Sequence, residues 1–160
     1  MGMKIYVLGI SALLAFAAQA RAETYSVKSP DGRIEASVDD GAGLSFSLKA
    51  DGKVLLEKCA IGMDTDRGFL GRDAVAQSQK LSSHKGTLEP VFGTRKTVAD
   101  EYNQLELGFK NFKLLVRVYD EAAAYRFSTD FDGELVVNGE LLELSSVADS
   151  DNTIAHVVQA

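Results

Sequence analysis

The sequence of 160 residues has 17 lysines and arginines against 23 aspartates and glutamates, which gives a formal net charge of −6. This acidic balance argues against nucleic acids and anionic membrane surfaces as partners, because both require a basic face. A single cysteine, Cys59, excludes an intrachain disulfide, and its apolar neighbours Leu55, Leu56 and Ile61 predict that it is buried.

The first 22 residues have the pattern of a secretory signal peptide. A charged start at Lys4 precedes an apolar run from Ile5 to Ala18, and Ala20 and Ala22 end two A-x-A cleavage sites. The alternative, a membrane anchor, requires a longer apolar span. Cleavage would leave one domain at residues 23–160 with a net charge of −8, since the leader carries two of the 17 basic residues. We therefore predict an exported chain, either periplasmic or secreted.

Short apolar alternations separated by turn signals predict a β meander in the first part of this domain. Turns are indicated by Pro30-Asp31-Gly32 and by Asp51-Gly52, and the second pair favours a tight hairpin. Apolar residues recur at every second position between these turns, as expected for strands with one buried face. The predicted strands begin near Tyr25, Ile34, Leu44 and Val54.

The next segment, residues 64–85, is polar and lacks sustained alternation. Its composition, with glycines at positions 68 and 71, predicts a long loop with a short helical piece near residues 73–79. A long loop in a compact domain is often functional or covers a neighbouring surface.

The second half of the domain again has the pattern of strands. Turns are expected at Lys110-Asn111, Asp132-Gly133 and Asn138-Gly139. The fold class is therefore all-β, an antiparallel β-sandwich. The predicted strands cover residues 87–92, 94–98, 102–109, 112–119 and 124–131, with a last strand at 154–158.

The most informative stretch is a predicted hairpin at residues 114–127 with an acidic turn. If the turn is centred just after Glu121, Arg117 lies opposite Arg126 on one sheet face. Like charges that face each other across two strands are unfavourable, so carboxylates are expected nearby. The first candidates for these carboxylates are Glu101 and Glu106.

Candidate sugar-binding residues are few, because the chain has no tryptophan. Sugar sites usually combine aromatic platforms with polar neighbours, which makes Tyr102, Tyr119 and Tyr125 the candidates. Sheet packing is the more common role of a strand tyrosine. Arg117 and Arg126 are also able to clamp a carboxylate, although structural ion pairs are the more common role.

No catalytic or metal-binding constellation is apparent in the sequence. His84 and His156 are isolated from other ligand types, and no Ser-His-Asp set is indicated. The segment Asp149-Ser150-Asp151-Asn152 only faintly resembles a calcium loop, because it lacks the glycine and the distal glutamate of such loops. We expect no catalytic residue, no metal site and no cofactor in this chain.

Several short motifs, in the same order along the chain, resemble the N-terminal domain of glycoside hydrolase family 97. The family's hairpin motif resembles residues 117–127, and its opening S-P-D-G resembles Ser29-Pro30-Asp31-Gly32. Further similar segments are residues 44–63, 90–93 and 100–105, with a weaker match at 137–140. The positions that match the family motifs are Asp100, Glu101, Tyr102, Asn103, Arg117, Tyr119, Asp120 and Arg126.

This resemblance implies that the sandwich is part of a β-supersandwich like that of galactose mutarotase. Members of the family are longer, and they place a (β/α)8 barrel and a small β domain after this one. The resemblance implies that the catalytic glutamates and most calcium ligands lie outside this chain, so that the chain is not itself an enzyme. It also implies that the domain packs on the barrel and helps to frame a cleft for α-glucosides or α-galactosides.

Two further functions are open at this point. One is a stand-alone exported carbohydrate-binding module, and the other is a structural interaction module that docks on a partner without binding sugar. A truncated supersandwich would leave an apolar strip such as Leu105, Leu107 and Phe109 partly uncovered. The family's turn glycine is Ala122 here, which would be strained if that position required a positive φ.

Overall fold

The computed structural model describes residues 22–89, 97–143 and 157–159, and within these ranges it contains strands and no helix. The described residues therefore include no helix long and apolar enough to cross a membrane. The first strands are β1 (Thr24–Lys28), β2 (Ile34–Asp39), β3 (Gly41–Ala50), β4 (Lys53–Thr65), β5 (Gly68–Leu70) and β6 (Arg72–Ala74). The others are β7 (Ser78–Leu88), β8 (Val98–Gly108), β9 (Phe112–Val118), β10 (Ala123–Thr129), β11 (Val137–Leu142) and β12 (Val157–Gln159).

These strands form two sheets, which confirms the predicted all-β fold. The first sheet has the order β1-β2-β3-β4-β11, with β5 beside β4 and β6 beside β3. The second has the order β12-β10-β9-β8-β7. Neighbouring strands are antiparallel except for β10 and β12, which are parallel. The predicted signal peptide up to residue 21, and the segments 90–96 and 144–156, lie outside the described residues.

The core lies between the two sheets and follows from the period-2 alternation of the strands. Strand β9 alternates strictly between buried and partly exposed residues along its whole length. At the centre of the core, the ring of Phe46 from the first sheet packs 5.8 Å from that of Tyr125 from the second. The expectation that Leu105, Leu107 and Phe109 are partly uncovered is wrong, because all three are buried.

The predicted meander of the first four strands is confirmed, and Asp51-Gly52 forms the turn between β3 and β4. Both turn residues have positive φ, 49° and 78°. This is the backbone of a type I′ turn, whose twist matches that of the flanking strands.

The predicted loop at residues 64–85 is wrong, as is its helical piece near 73–79. Strand β4 continues to Thr65, β5 and β6 follow, and β7 begins at Ser78. Strand β7 has no buried residue, because it lies at the edge of the second sheet with both of its faces largely open. A strand exposed on both faces has no reason to alternate, so its sequence resembles that of a loop.

Two predicted turns also have different roles in the structure. Residues Asn138-Gly139 lie inside β11, where the register with β4 shifts by one residue, and they do not form a hairpin. Asp132-Gly133 does form a bend, and Gly133 has a φ of 81°. However, this bend leads from β10 in the second sheet to β11 in the first, so it is a crossover between sheets.

The predicted hairpin at residues 114–127 exists, but its register differs from the prediction. Arg117 lies opposite Ala124, and Arg126 lies opposite Leu115. The turn is centred one residue earlier than expected and is closed by the Tyr119 amide, which donates to the Ala122 carbonyl at 2.7 Å. Ala122 is not among the residues with positive φ, so the missing turn glycine causes no strain there.

A buried carboxylate joins the residue before β1 to the segment before β7. Asp40, 4% exposed, accepts hydrogen bonds from the backbone amides of Glu23 at 2.7 Å and Ala76 at 2.9 Å. The Tyr25 hydroxyl lies between the carboxylates of Glu23, at 3.1 Å, and Asp40, at 3.5 Å. Burial, followed by these two acidic neighbours, raises the pKa of Tyr25 to about 12.

This shift predicts a loss of stability in alkaline solution. The raised pKa means that folded Tyr25 keeps a proton that the unfolded chain loses near pH 10, so its contribution is complete below pH 10 and lost as pH rises towards about 12. Denaturant midpoints measured across this interval should fall, and the Tyr25→Phe variant should show a shallower fall. Burial also raises the pKa of Tyr125, so some slope should remain in the variant. Equal slopes in both proteins would contradict the prediction.

Candidate functional site

A row of aromatic rings crosses the outer face of the second sheet. The strand register places His84 on β7 opposite Tyr102 on β8, and Tyr119 follows β9 on the other side of Tyr102. The His84 and Tyr102 rings are stacked with centroids 4.9 Å apart, and the Tyr102 and Tyr119 rings are tilted with centroids 5.2 Å apart. We call His84, Tyr102 and Tyr119 the aromatic ladder. Both tyrosines are half-buried, so part of each ring faces the solvent.

Polar groups flank the aromatic ladder on both sides. The Arg117 guanidinium carbon lies 4.5 Å from the centre of the Tyr102 ring, and Arg117 Nε donates to Gln104 Oε1 at 2.8 Å. At the other side, Asp100 Oδ2 lies 3.3 Å from His84 Nε2. This face thus combines aromatic surface with a guanidinium, an amide and a carboxylate, which is the composition expected of a shallow sugar-binding surface.

The expected ion pairs between the two arginines and Glu101 or Glu106 are absent. Glu101 pairs with Lys85 at 3.3 Å, and Glu106 pairs with Lys113 at 3.6 Å. Arg117 instead has the Tyr102 ring and the Gln104 amide as partners. The prediction failed because the true register separates Arg117 from Arg126 diagonally, so no shared carboxylate is needed.

The prediction of Tyr125 as a sugar-binding residue is wrong. Its side chain is 3% exposed and packs in the core against Phe46 and Phe127. The sequence could not separate it from Tyr102 and Tyr119, because tyrosine suits both faces of a strand. Conversely, the sequence around His84 indicates no partner for it, and only the pairing of β7 with β8 brings it to Tyr102.

Two of the family-motif residues tie the sheets together. The Asn103 side-chain amide donates to the carbonyl of Lys28 at 2.8 Å, and the Asp120 carboxylate accepts from the backbone amide of Asp31 at 2.9 Å. Asp31 lies in the Ser-Pro-Asp-Gly turn, where a hydrogen bond from the Ser29 hydroxyl is the main cause that lowers its pKa. The polar side chains of Asn103 and Asp120 therefore have a structural role.

Metal binding has no support in the part of the chain that the structure describes. Within those residues, no group of three histidine, cysteine, aspartate or glutamate side chains could hold a metal ion. The faint calcium-loop resemblance at residues 149–152, and His156, lie outside the described residues.

Arg126, the remaining motif position, is exposed on the same face as Arg117.

The partners of Arg117 predict a measurable difference between the two arginines. Arg117→Ala removes a charged hydrogen bond and a cation–π contact at a half-buried position, and should lower the free energy of unfolding by about 1 kcal/mol. Arg126→Ala, on the same hairpin face but exposed, should change it by less than about 0.5 kcal/mol. Urea denaturation of both variants tests this, and equal midpoints would contradict it.

Comparison with known proteins supports the family resemblance that the sequence motifs indicate. A family model described as Glycosyl-hydrolase 97 N-terminal matches residues 27–158. The chain is 26% identical over 126 residues to a retaining alpha-galactosidase from Bacteroides thetaiotaomicron, a match that covers 78% of this chain and 19% of the relative. The chain therefore spans about a fifth of that relative's length.

Solved structures share the fold at lower identity. A glycoside hydrolase family 97 enzyme from Pseudoalteromonas sp., in complex with panose, matches 76% of this chain and 20% of its own, with 19% identity and a TM-score of 0.67. A beta-arabinopyranosidase crystal structure matches 77% of this chain and 21% of its own, with 20% identity and a TM-score of 0.70. At these identities the likeness shows the fold alone.

Proposed function

Because the chain belongs to the glycosyl-hydrolase 97 N-terminal family, we propose that it works as the non-catalytic β domain of a carbohydrate-processing enzyme. The family match over residues 27–158 is the observation that carries this proposal. In this role the domain packs on a (β/α)8 barrel and helps to frame the sugar-binding cleft. Export to the periplasm or the medium, as the leader pattern predicts, suits a substrate of external origin.

The outer face of the second sheet is the surface that we assign to the cleft. Its support is the aromatic ladder, in which half-buried Tyr102 and Tyr119 offer ring surface beside the Arg117 guanidinium. The apolar face of a pyranose ring can cover such rings, while its hydroxyls reach the flanking polar groups. The ladder rings and the Arg117 contact hold one another in place, so little ordering is needed on binding.

Calcium, which the resemblance associates with the full-length family, is not assigned to this domain. The described residues include no suitable cluster of oxygen ligands, so none of them is given a role towards the ion. In this proposal the domain contributes surface and position, and the chemistry belongs to another domain.

Sugar binding by the ladder can be tested on the purified chain. Panose, which one structural relative binds, should shift the amide resonances around Tyr102 and Tyr119 in a saturable manner. Tyr102→Ala should weaken this binding about tenfold, because a stacking surface is lost. Tyr102→Phe is the matched control, since it keeps the ring and should retain most of the affinity. An equal loss of panose affinity in both variants, or no panose binding by the native chain, would count against sugar binding by the aromatic ladder.

Docking on a barrel can be tested separately from sugar binding. The chain should form a one-to-one complex with the remaining part of a family 97 enzyme, expressed without its N-terminal domain and analysed by light scattering. Neither partner should hydrolyse aryl α-glycosides efficiently when this contact is absent. Failure to associate, combined with retained panose binding, would favour the stand-alone binding module.

A further inference from the structure

An open cleft of about 350 Å³ lies at one end of the sandwich, on residues that the proposed function does not use. Its walls come from the β5–β6 segment and from the turn between β8 and β9. Its floor includes Phe109 and Phe112, whose rings are stacked 4.5 Å apart, and the partly exposed Phe69 and Phe131 line it as well. A volume of this size accommodates a small organic ligand.

Positive charge is concentrated at this cleft although the chain as a whole is acidic. Among the described residues, Arg67, Arg72 and Lys110 line it together with one carboxylate, that of Asp73. Both guanidiniums lie over aromatic rings: Arg72 is 4.8 Å from the centre of Phe69, and Arg67 is 5.5 Å from that of Phe131. Stacking on a ring fixes the plane of a guanidinium while its N–H edge stays available for an acceptor.

The Arg72 guanidinium is held in place from below. The Phe69 ring lies so close to Gly62 that a Cβ there would be 2.5 Å from Cε1 and 2.6 Å from Cζ. Because Gly62 has no side chain, the Phe69 ring can pack against its backbone, and the Arg72 guanidinium lies over that ring. Any larger residue would displace both.

The donors of two of these cations are not used inside the described parts of the chain. Arg67 donates from Nη2 to the carbonyl of Glu134 at 3.3 Å. The side chains of Arg72 and Lys110 have no hydrogen-bond or ion-pair partner among the described residues. Two such cations beside one carboxylate leave an excess of positive charge facing the cleft.

We propose that this cleft binds a carboxylated sugar, that is, a uronic acid unit. Its carboxylate is bound by Arg72 and Lys110, in a geometry that the fork of a guanidinium favours. The apolar face of its ring covers the exposed edges of Phe69 and Phe131. The choice of a sugar as the rest of the ligand depends on the proposed function, whereas the preference for an anion depends only on the cleft.

Titration of the full chain with D-glucuronate, followed by amide resonances, tests the proposal. We expect saturable shifts in residues 69–77 and 109–112, while D-glucose and acetate bind at least about tenfold more weakly. Arg72→Gln should weaken glucuronate binding about tenfold. Arg33→Gln, which removes another exposed arginine, is the matched control and should leave it unchanged.

The carboxylate of Asp73 allows a second test in the opposite direction. Asp73 has a φ of 48°, a conformation that asparagine also tolerates, so Asp73→Asn should fold normally. Removal of its negative charge should tighten glucuronate binding several-fold. An unchanged thermal midpoint in each variant shows that the effect is local.

Several results would overturn the proposal. Equal affinity for glucose and glucuronate would exclude charge recognition, and equal affinity for acetate would exclude a sugar. Binding of an acidic peptide without binding of glucuronate would indicate a protein partner for the cleft. These outcomes are independent of panose binding at the aromatic ladder, so a failure here is distinguishable from a failure of the proposed function.

Discussion

Close packing of two sheets through one apolar layer is the constraint on which the other features depend. The contact between Phe46 and Tyr125 lies within this layer, and Leu105, Leu114 and Val116 are completely buried beside it. Because successive side chains of a strand point to opposite faces, burial of one set fixes the orientation of the other. The outward direction of Tyr102 and Arg117 is therefore a consequence of core packing.

The two sheets are also fastened by polar contacts at their margins. Asn103 and Asp120 connect the second sheet to the beginning of the first, and Asp40 connects the residue before β1 to the segment before β7. Each contact satisfies a backbone group that has no partner in the sheet ladders. Motif positions that a sequence comparison would assign to ligand binding thus include residues whose task is to hold a turn in place.

The sequence was informative where strands have one buried face and uninformative elsewhere. Alternation located β9 and β10 to within about two residues, and the Asp51-Gly52 turn was evident from its residue types. Strand β7 escaped detection because neither of its faces is buried. The aromatic ladder depends on strand register, and the open cleft at the end of the sandwich depends on contacts between segments that are distant in the sequence. A local sequence pattern contains neither kind of information. A shift of one residue at the turn was enough to exchange the partners of Arg117.

The thiol of Cys59 is completely buried, opposite Phe46 on the neighbouring strand. Thiol reagents act on the exposed thiolate, so the side chain can react only in molecules where this part of the sandwich has opened. The rate at which Cys59 is modified therefore reports the rate or extent of native-state opening. The chain contains no second cysteine, so the measured rate belongs to this position alone. A ligand or partner that holds the sheets together would lower the rate of Cys59 modification wherever on the surface it binds.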